Sequence, residues 1–317
     1  MMLRHVFVRH GTSAGDPRSR AGAAGATSGG SMSRSRGALG TVVTEATFLA
    51  HAKHGQRITV CLPARDEAAT IGDIVTPIVA VLQDQVGLAD EVLVMDHGSA
   101  DATAKVARDA GARVVPCATV MPQFGRPLGK GDVLWRSLFA ATGDIIVWLD
   151  ADLLDFTPAY VTSLARPLLT DPGASLVRGV CERLRDGVPG EGGRVTELAA
   201  RPALRLLYPD LAHIRQPLGG EYAVRRAVAE TVPFEVDYGV EMGLLIDVAQ
   251  AFGADSIRQV PLPPRSHRNR PLSELSVQAE QVLRAVLTRA GALGTERVGV
   301  VRPAASTLTS AVGALAR

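Results

Sequence analysis

The sequence predicts an α/β fold with a parallel sheet, and three observations lead to that prediction. Short apolar runs that fit strands alternate with segments of helical periodicity through the first half of the chain, as in βαβ units. The run Ile145–Leu149 is apolar without interruption, which fits a strand buried on both faces of such a sheet. Polar and acidic residues follow several of these runs, at the strand ends where α/β proteins bind ligands.

The elements follow a regular order up to about residue 155 and a less regular one after it. Apolar runs bounded by turn residues predict strands, and apolar residues at helical spacing predict helices. The predicted strands are 57–62, 91–95, 112–115, 145–149, 174–180 and 257–262. The predicted helices are 70–83, 103–110, 132–142, 158–169, 272–289 and two more that end near residues 208 and 252.

Composition divides the chain into four segments. Residues 1–40 are rich in Gly, Ala, Ser and Arg and are predicted to be a disordered tail, because they bury too little apolar surface to offset the entropy of ordering. Residues 41–155 and 156–290 are predicted to be two halves of one domain. Residues 291–317 have the composition of a C-terminal tail.

The bulk properties exclude several classes of protein. The 317 residues are 46% hydrophobic and 21% charged, with a formal net charge of +2, so nothing in the overall charge indicates nucleic acid or a membrane surface as partner. Cys61, Cys117 and Cys181 have neither a disulfide nor a metal-ligand spacing. No apolar run reaches the length of a transmembrane helix. We therefore expect a cytoplasmic α/β protein.

Two carboxylates end the central predicted strand. Asp150 and Asp152 are one residue apart on a rigid strand end, which suits a hard divalent cation and the nucleotide diphosphate that it would accompany. The alternative is an acidic loop without function. Pro63–Glu67 and Asp96–Ser99 follow two neighbouring strands and would reach a base or ribose, or else supply helix caps.

Two helix entrances carry a cation beside glycine. Lys130 lies between Gly129 and Gly131, where backbone, helix N-terminus and ammonium would together bind a diphosphate. A second helix start, with Gly193, Arg194 and Thr196, offers backbone N–H groups, a guanidinium and a hydroxyl that suit a phosphate or carboxylate. The alternative for Arg194 is a solvated surface arginine.

A basic run follows the last predicted strand. Residues 265–270 contain three arginines and one histidine. Such a run is usually a solvated face, but between a strand and a helix it could close over phosphates, with His267 as a metal ligand.

Taken together, these motifs resemble a known family. The strand ends at 63–67, 96–101 and 150–152 read Pro-Ala-X-Asp-Glu, Asp-X-Gly-Ser-X-Asp and Asp-X-Asp, in the order seen in GT-A glycosyltransferases, which use nucleotide sugars. Gly-Gly-Arg-Val-Thr-Glu-Leu, Gly-Gly-Glu-Tyr, Tyr-Gly-Val-Glu and His-Arg-Asn-Arg-Pro-Leu follow in the second half. Over roughly residues 55–290 the chain is similar to the actinobacterial glucosyl-3-phosphoglycerate synthase family.

The resemblance implies roles for particular residues. The GT-A nucleotide-sugar half would be 41–155 and the acceptor half 156–290. The residues implied for the nucleotide sugar are Pro63, Ala64, Glu67, His97, Lys130, Asp150, Arg265 and Asn269. Those implied for the acceptor and the glucose are Gly193, Arg194, Thr196, Tyr238 and Glu241. Asp152 and His267 would hold Mg²⁺ or Mn²⁺, and Asp152, Glu241 and Lys130 would carry catalysis.

The implied reaction is transfer of glucose from UDP-glucose to 3-phosphoglycerate with retention at the anomeric carbon, by a homodimer. No residue is marked as a nucleophile, which favours attack on the face that the leaving group departs from. His97 departs from the serine usual in the family. The alternatives are a mannosyl-3-phosphoglycerate synthase that uses GDP-mannose, a polyprenyl-phosphate glycosyltransferase, and a catalytically silent protein that binds sugar nucleotides.

Overall fold

The structure is a computed structural model that describes residues 29–185, 188–189, 193–266, 272–294 and 299–308. The chain divides into two units, Met1–Leu39 and Gly40–Arg317. Every strand that the structure describes lies in the second unit. The strands are β1 Ile58–Ala64, β2 Glu91–Asp96, β3 Arg113–Pro116, β4 Ile145–Trp148, β5 Leu176–Arg185, β6 Val188–Pro189, β7 Tyr222–Arg225, β8 Phe234–Glu235, β9 Ile257–Ser266 and β10 Val301–Arg302.

Eight of these strands form one mixed sheet. Its order is β3-β2-β1-β4-β7-β5-β6, and β9 pairs with β5. Strands β1 to β4 are mutually parallel, as the alternation of strands and helices predicts, whereas β7 runs antiparallel to both β4 and β5. The predicted α/β class is confirmed, and its mixed second half begins at β7. A separate ribbon joins β8 to β10.

Helices cover the sheet, and most of the described ones lie close to the predicted positions. Helix α2 continues as a π-helical turn over Ile78–Gln85, and a similar turn over Thr196–Ala200 precedes α6. The helices are α1 Gly29–Ala52, α2 Ile71–Pro77, α3 Thr103–Asp109, α4 Lys130–Ala140, α5 Ala159–Thr170, α6 Arg201–Leu207, α7 Arg226–Ala229, α8 Val240–Phe252 and α9 Leu272–Arg289. Of the described helices, none has both the length and the apolar character needed to cross a membrane.

The core lies on both faces of the sheet. Successive residues of β4 alternate between two buried clusters, Ile146 and Trp148 on one side and Ile145 and Val147 on the other. This is the period of two that a strand imposes. The uninterrupted apolar run is therefore explained, because both faces of this central strand are covered.

Both segments predicted to be tails contain described structure. Helix α1 begins at Gly29, within the predicted N-terminal tail. Near the other end, Arg302 pairs with Phe234 through the β10–β8 ribbon, and Trp135 donates a hydrogen bond from Nε1 to the carbonyl oxygen of Pro303 at 2.8 Å. Residues 299–308 are thus part of the packed fold.

Candidate active site

The carboxyl ends of β1, β2 and β4 meet at one edge of the sheet. The parallel register pairs Ala64 with Asp96 and Cys61 with Trp148. The loops that follow these strands therefore lie side by side, as the sequence predicts. This edge contains most of the predicted nucleotide-sugar residues.

Two acids tie the first two of these loops together. Asp66, which has a positive φ of 57°, accepts a hydrogen bond from the backbone N–H of Ala100 at 2.7 Å. Asp101 accepts one from Ala68 N–H at 3.0 Å and others from the hydroxyl and N–H of Thr103, and the Thr103 hydroxyl is the main reason that the pKa of Asp101 is lowered. Asp66 does not cap α2, whose N-cap is residue 70. Instead, these carboxylates hold the loops in register.

Four residues predicted to bind the nucleotide lie in or beside these loops. Ala64 is buried, and Pro63, Glu67 and His97 are half-buried. The N–H of His97 donates to the carbonyl oxygen of Ala64 at 2.9 Å, and His97 Nε2 lies 3.4 Å from the carbonyl oxygen of Pro127. The imidazole ring therefore lies between the β2 loop and the segment that leads to Lys130.

The turn Asp150–Asp152 after β4 is fixed from two sides. The hydroxyl of Thr70 donates to the carbonyl oxygen of Ala151 at 2.7 Å. Gly220 packs directly against the Asp150 carboxylate, so that a Cβ at position 220 would overlap both carboxylate oxygens. The half-buried side chain of Asp152 follows on the same turn. A rigid turn of this kind holds acidic groups in place before any ligand arrives.

Lys130 links the turn after β4 to the start of α8. Its Nζ lies 2.8 Å from Oδ1 of Asp150 and 2.9 Å from Oε1 of Glu241, in the first turn of α8. Burial opposes the charge on Lys130, but the two carboxylates outweigh it and hold the pKa of the ammonium well above its ordinary value. Three predicted site residues that are distant in the sequence thus form one charged cluster, and its cation stays protonated.

The glycines beside Lys130 also allow close packing of the backbone. A Cβ at Gly129 would lie 2.7 Å from the carbonyl oxygen of Val236, and a Cβ at Gly131 would overlap the carbonyl oxygen of Glu235. Both glycines therefore allow β8 and the segment after it to approach the start of α4. The prediction that they also bring backbone close to an anion stays a prediction.

The predicted acceptor residues lie at another helix start. The N–H of Glu197 donates to the carbonyl oxygen of Gly193 at 2.9 Å, which closes the first helical turn. Arg194 is exposed, and Thr196 is buried with 4% of its surface accessible. Tyr238 is half-buried in the turn between β8 and α8, and its N–H lies 3.4 Å from Oε1 of Gln281.

The predicted basic run is described only in part. His267 and Asn269 lie outside the described residues, and Arg265 is described as a backbone position of β9, opposite Arg183. Over the described ranges no group of three His, Cys, Asp or Glu side chains could hold a metal ion. Asp152 nevertheless fits Mg²⁺ or Mn²⁺, because such ions at phosphate sites take one or two protein carboxylates and complete their coordination with phosphate oxygens and water.

One buried group beside the cluster was not predicted from the sequence. Arg178 in β5 is fully buried, its Nη2 donates to the carbonyl oxygens of Pro217 and Gly219 at 2.8 and 2.9 Å, and its Cζ lies 4.5 Å above the Tyr222 ring. Burial lowers the pKa of Arg178, opposed by nearby Tyr222, Glu241 and other acids. Within the described part of the chain, Nε and Nη1 of Arg178 and the Tyr222 hydroxyl have no hydrogen-bond partner. The Gly-Gly-Glu-Tyr motif was the available signal, since it contains Tyr222 and the glycine that Arg178 binds.

The sequence is similar to those of known glycosyltransferases. The model of glycosyl transferase family 2 matches residues 59–188. Glucosyl-3-phosphoglycerate synthase of Mycolicibacterium smegmatis is 48% identical over 244 residues, which are 76% of this chain and 80% of that protein, and the Mycobacterium tuberculosis enzyme is 45% identical over 247 residues, 76% and 75% of the two chains.

Solved structures agree with these relatives. The M. tuberculosis enzyme in complex with Mn²⁺, UDP-glucose and phosphoglyceric acid matches with a TM-score of 0.76 and 41% identity, covering 83% of this chain and 95% of that one. Mannosyl-3-phosphoglycerate synthase from Rubrobacter xylanophilus matches with a TM-score of 0.75 and 34% identity, covering 82% and 93%. The chain therefore belongs to the glucosyl-3-phosphoglycerate synthase family.

Proposed function

We propose that the protein transfers glucose from UDP-glucose to 3-phosphoglycerate, with retention at the anomeric carbon, to give glucosyl-3-phosphoglycerate and UDP. The observation that carries the proposal is the charged cluster in which Lys130 bridges Asp150 and Glu241 at the sheet edge. It joins a donor half and an acceptor half in a chain that belongs to this enzyme family.

The donor binds along the carboxyl ends of β1, β2 and β4. Pro63, Ala64, Glu67 and His97 hold the uracil and ribose, in loops that the Asp66 and Asp101 carboxylates keep in register. Lys130 contacts the diphosphate. It is already held in place by Asp150 and Glu241, so little ordering is required when the anionic donor binds. Arg265 and Asn269 add contacts to the donor phosphates or to the acceptor.

The metal ion belongs beside the same turn. Asp152 and His267 would hold Mg²⁺ or Mn²⁺, which supplies a Lewis acid that stabilises the negative charge of the departing UDP. The chain's own contribution is the fixed turn, because Thr70 and Gly220 prevent the carboxylates from drifting.

The acceptor carries a phosphate and a carboxylate, and the residues at the start of the 194–207 helical segment match that chemistry. Gly193 and Thr196 present backbone N–H groups and a hydroxyl near a helix N-terminus, and Arg194 provides a guanidinium at the surface. Tyr238 and Glu241 hold the glucose hydroxyls at the start of α8.

The geometry supports attack of the acceptor on the face from which UDP departs. A double-displacement mechanism needs a carboxylate free to attack the anomeric carbon. Asp150 and Glu241 are both paired with Lys130, which favours roles in positioning and electrostatics for these two acids. A phosphate oxygen of the departing UDP then takes the proton of the acceptor hydroxyl.

A second donor is the main competing proposal. His97 replaces the serine that is usual in the family. Its Nε2 lies 3.4 Å from the carbonyl oxygen of Pro127 in the proposed base pocket. The 34% identical mannosyl-3-phosphoglycerate synthase shares the fold at nearly the same TM-score. GDP-mannose in this pocket would keep the acceptor and metal sites unchanged.

The test is turnover with purified full-length protein, Mg²⁺ or Mn²⁺ and 3-phosphoglycerate, with UDP-glucose, ADP-glucose or GDP-mannose as donor. We expect release of UDP and formation of α-linked glucosyl-3-phosphoglycerate, identified by mass and NMR. Turnover chiefly with GDP-mannose would replace the donor assignment. Absence of turnover with all three donors would contradict the proposal and leave a protein that only binds sugar nucleotides.

We also propose that the protein is a cytoplasmic homodimer. Leu198, Leu206 and Leu272 are large apolar side chains with 79%, 81% and 68% of their surface exposed. They lie on three helical segments that contact one another, which supports an apolar interface between protein chains. The three buried free cysteines are consistent with a reducing compartment. Light scattering on the protein and on an L198E/L206E variant tests the dimer, with a monomeric wild type as the contradicting result.

A further inference from the structure

We propose that Arg302, in strand β10, is a positioning residue for glucosyl transfer that sets the distance between Lys130 and Glu241. The inference rests on the proposed function of that pair. Arg302 itself touches neither residue. It acts through buried Asp132 at the start of α4 and through strand β8, which leads to the Glu241 turn.

The Asp132 carboxylate is the first link. It is fully buried and accepts two hydrogen bonds from Arg302, Nε to Oδ1 and Nη2 to Oδ2, both at 2.8 Å. Arg136 donates a hydrogen bond from Nε to Oδ1 of Asp132 at 3.2 Å, and the backbone N–H of Leu128 donates to Oδ2 at 3.0 Å. Burial alone would raise the pKa of Asp132, but Arg302 and these other donors lower it. The carboxylate is therefore an ionised anchor two residues from Lys130.

The same arginines hold the connection that leads to Lys130. Arg136 Nη2 donates to the carbonyl oxygen of Gly125 at 2.8 Å, and Arg302 Nη2 donates to that of Phe124 at 3.2 Å. The Arg302 guanidinium also lies 5.4 Å from the centre of the Phe124 ring. Hydrogen bonds from charged donors are stronger restraints than those between neutral groups, so the path of the chain into α4 depends on both guanidiniums.

The β10–β8 ribbon is the second link. Arg302 pairs with Phe234, and Val301 pairs with Glu235. The N–H of Asp132 donates to the carbonyl oxygen of Val236 at 3.1 Å, so the start of α4 is bound to the residue after β8. Only four residues lie between Val236 and Glu241. Arg302 therefore lies where the segments that carry Lys130 and Glu241 are joined.

Loss of Arg302 would weaken the attachment of α4 to β8. Arg136 would remain on Asp132, but both residues belong to α4, so their contact cannot fix α4 against β8. A lysine at 302 would keep the charge but not the two-pronged contact of the guanidinium. A shift of about 1 Å at a reacting centre is enough to reduce a rate by about a hundredfold.

The test is a double-mutant cycle with full-length protein. Steady-state kcat and both KM values are measured for wild type, R302M, K130M and R302M/K130M, with R302K as the conservative variant. R225M is the matched control, because Arg225 likewise binds several carbonyls, of Ala174, Leu168 and Asp171, but lies opposite Ile145 at the other end of β4.

We expect R302M to lower kcat/KM for UDP-glucose about tenfold or more, with the KM for 3-phosphoglycerate nearly unchanged and R302K in between. The same substitution should cost little in the K130M background, because the distance that Arg302 sets no longer matters there. Equal losses in both backgrounds, or an R225M variant with the same kinetic pattern, would overturn the proposal. If R302M does not fold, the cycle is run with R302K, and the same two criteria decide.

A wild type without turnover would refute the proposed function separately. In that case the dissociation constant of UDP in the presence of Mn²⁺ is measured by calorimetry for the same four proteins. Weaker binding in R302M that disappears in the K130M background would still support the positioning role, and unchanged affinity would overturn it.

Discussion

Gly220 offers a direct measure of how closely the active-site turn must be held. In G220A the new methyl group would lie closer than 3.0 Å to both oxygens and to Cγ of Asp150, whereas ordinary contacts begin at 3.4 Å. The carboxylate must therefore move by about 1 Å, which would separate Oδ1 from the Lys130 ammonium that now lies at 2.8 Å. A displacement of this size corresponds to a loss of about a hundredfold in kcat/KM. Overpacking would cost about 1–3 kcal/mol of folding stability.

The neighbouring glycine provides the control. A Cβ at Gly219 would meet its nearest neighbour, the carbonyl oxygen of Gly179, at 3.5 Å, an ordinary contact. G219A should therefore keep activity within about threefold of wild type, since it removes no contact and creates no overlap. The assay is steady-state release of UDP, with thermal denaturation to separate stability from rate. Full activity in G220A, or equal losses in the two variants, would refute the argument that Gly220 sets the position of Asp150.

Further predictions concern the charged cluster and its surroundings. K130M should lower kcat/KM for UDP-glucose by at least about a hundredfold, because it removes a preorganised charge and leaves Asp150 and Glu241 unneutralised; a loss below tenfold would contradict this. The raised pKa of Lys130 stabilises the fold at every pH below its ordinary pKa and is lost only as pH rises through the higher folded value, so kcat/KM should show no Lys130 titration up to about pH 10, which a pH–rate profile checks. D152N should weaken activation by Mn²⁺ and lower kcat by about a hundredfold, measured by metal titration, whereas unchanged activation would remove Asp152 from the metal site. H97S should change the ratio of kcat/KM for UDP-glucose to that for GDP-mannose by about tenfold if the ring contacts the base, and an unchanged ratio would place His97 outside the base pocket.

The sequence predicted those parts of the fold whose signal is local. The apolar run Ile145–Leu149 and the two acids after it predict both the central strand and the turn that follows it. Both signals can be read from adjacent residues, because a buried strand is a continuous apolar run and its end is polar. Helix α9 has the predicted bounds, Leu272–Arg289. Strand β10 could not be found in this way, since a two-residue strand has no period and its partner β8 is distant in the sequence.

The candidate site shows the same division. Lys130 and Asp150 were expected at one sheet edge, but the contact of Lys130 with Glu241 depends on how α4 and α8 pack, which no spacing reveals. Arg178 lies within a strand whose other residues are mostly apolar, so its buried guanidinium has no signal in hydrophobic periodicity. For Gly129 and Gly131 the sequence indicates anion binding, which stays a prediction, whereas their close contact with backbone carbonyls depends on the packing of β8 against α4.

The place of Arg302 in the chain order has a consequence for biosynthesis. The ribosome produces β1 to β9 and α1 to α9 before it reaches residue 302, and domains begin to fold as they emerge. Until then Asp132 has only Arg136 as a charged partner among the described residues, and β8 lacks its neighbour β10. A nascent chain can thus complete its large sheet while the Lys130–Glu241 junction is still open. The last described strand to be synthesised closes it, so the catalytic centre would mature later than the core collapses.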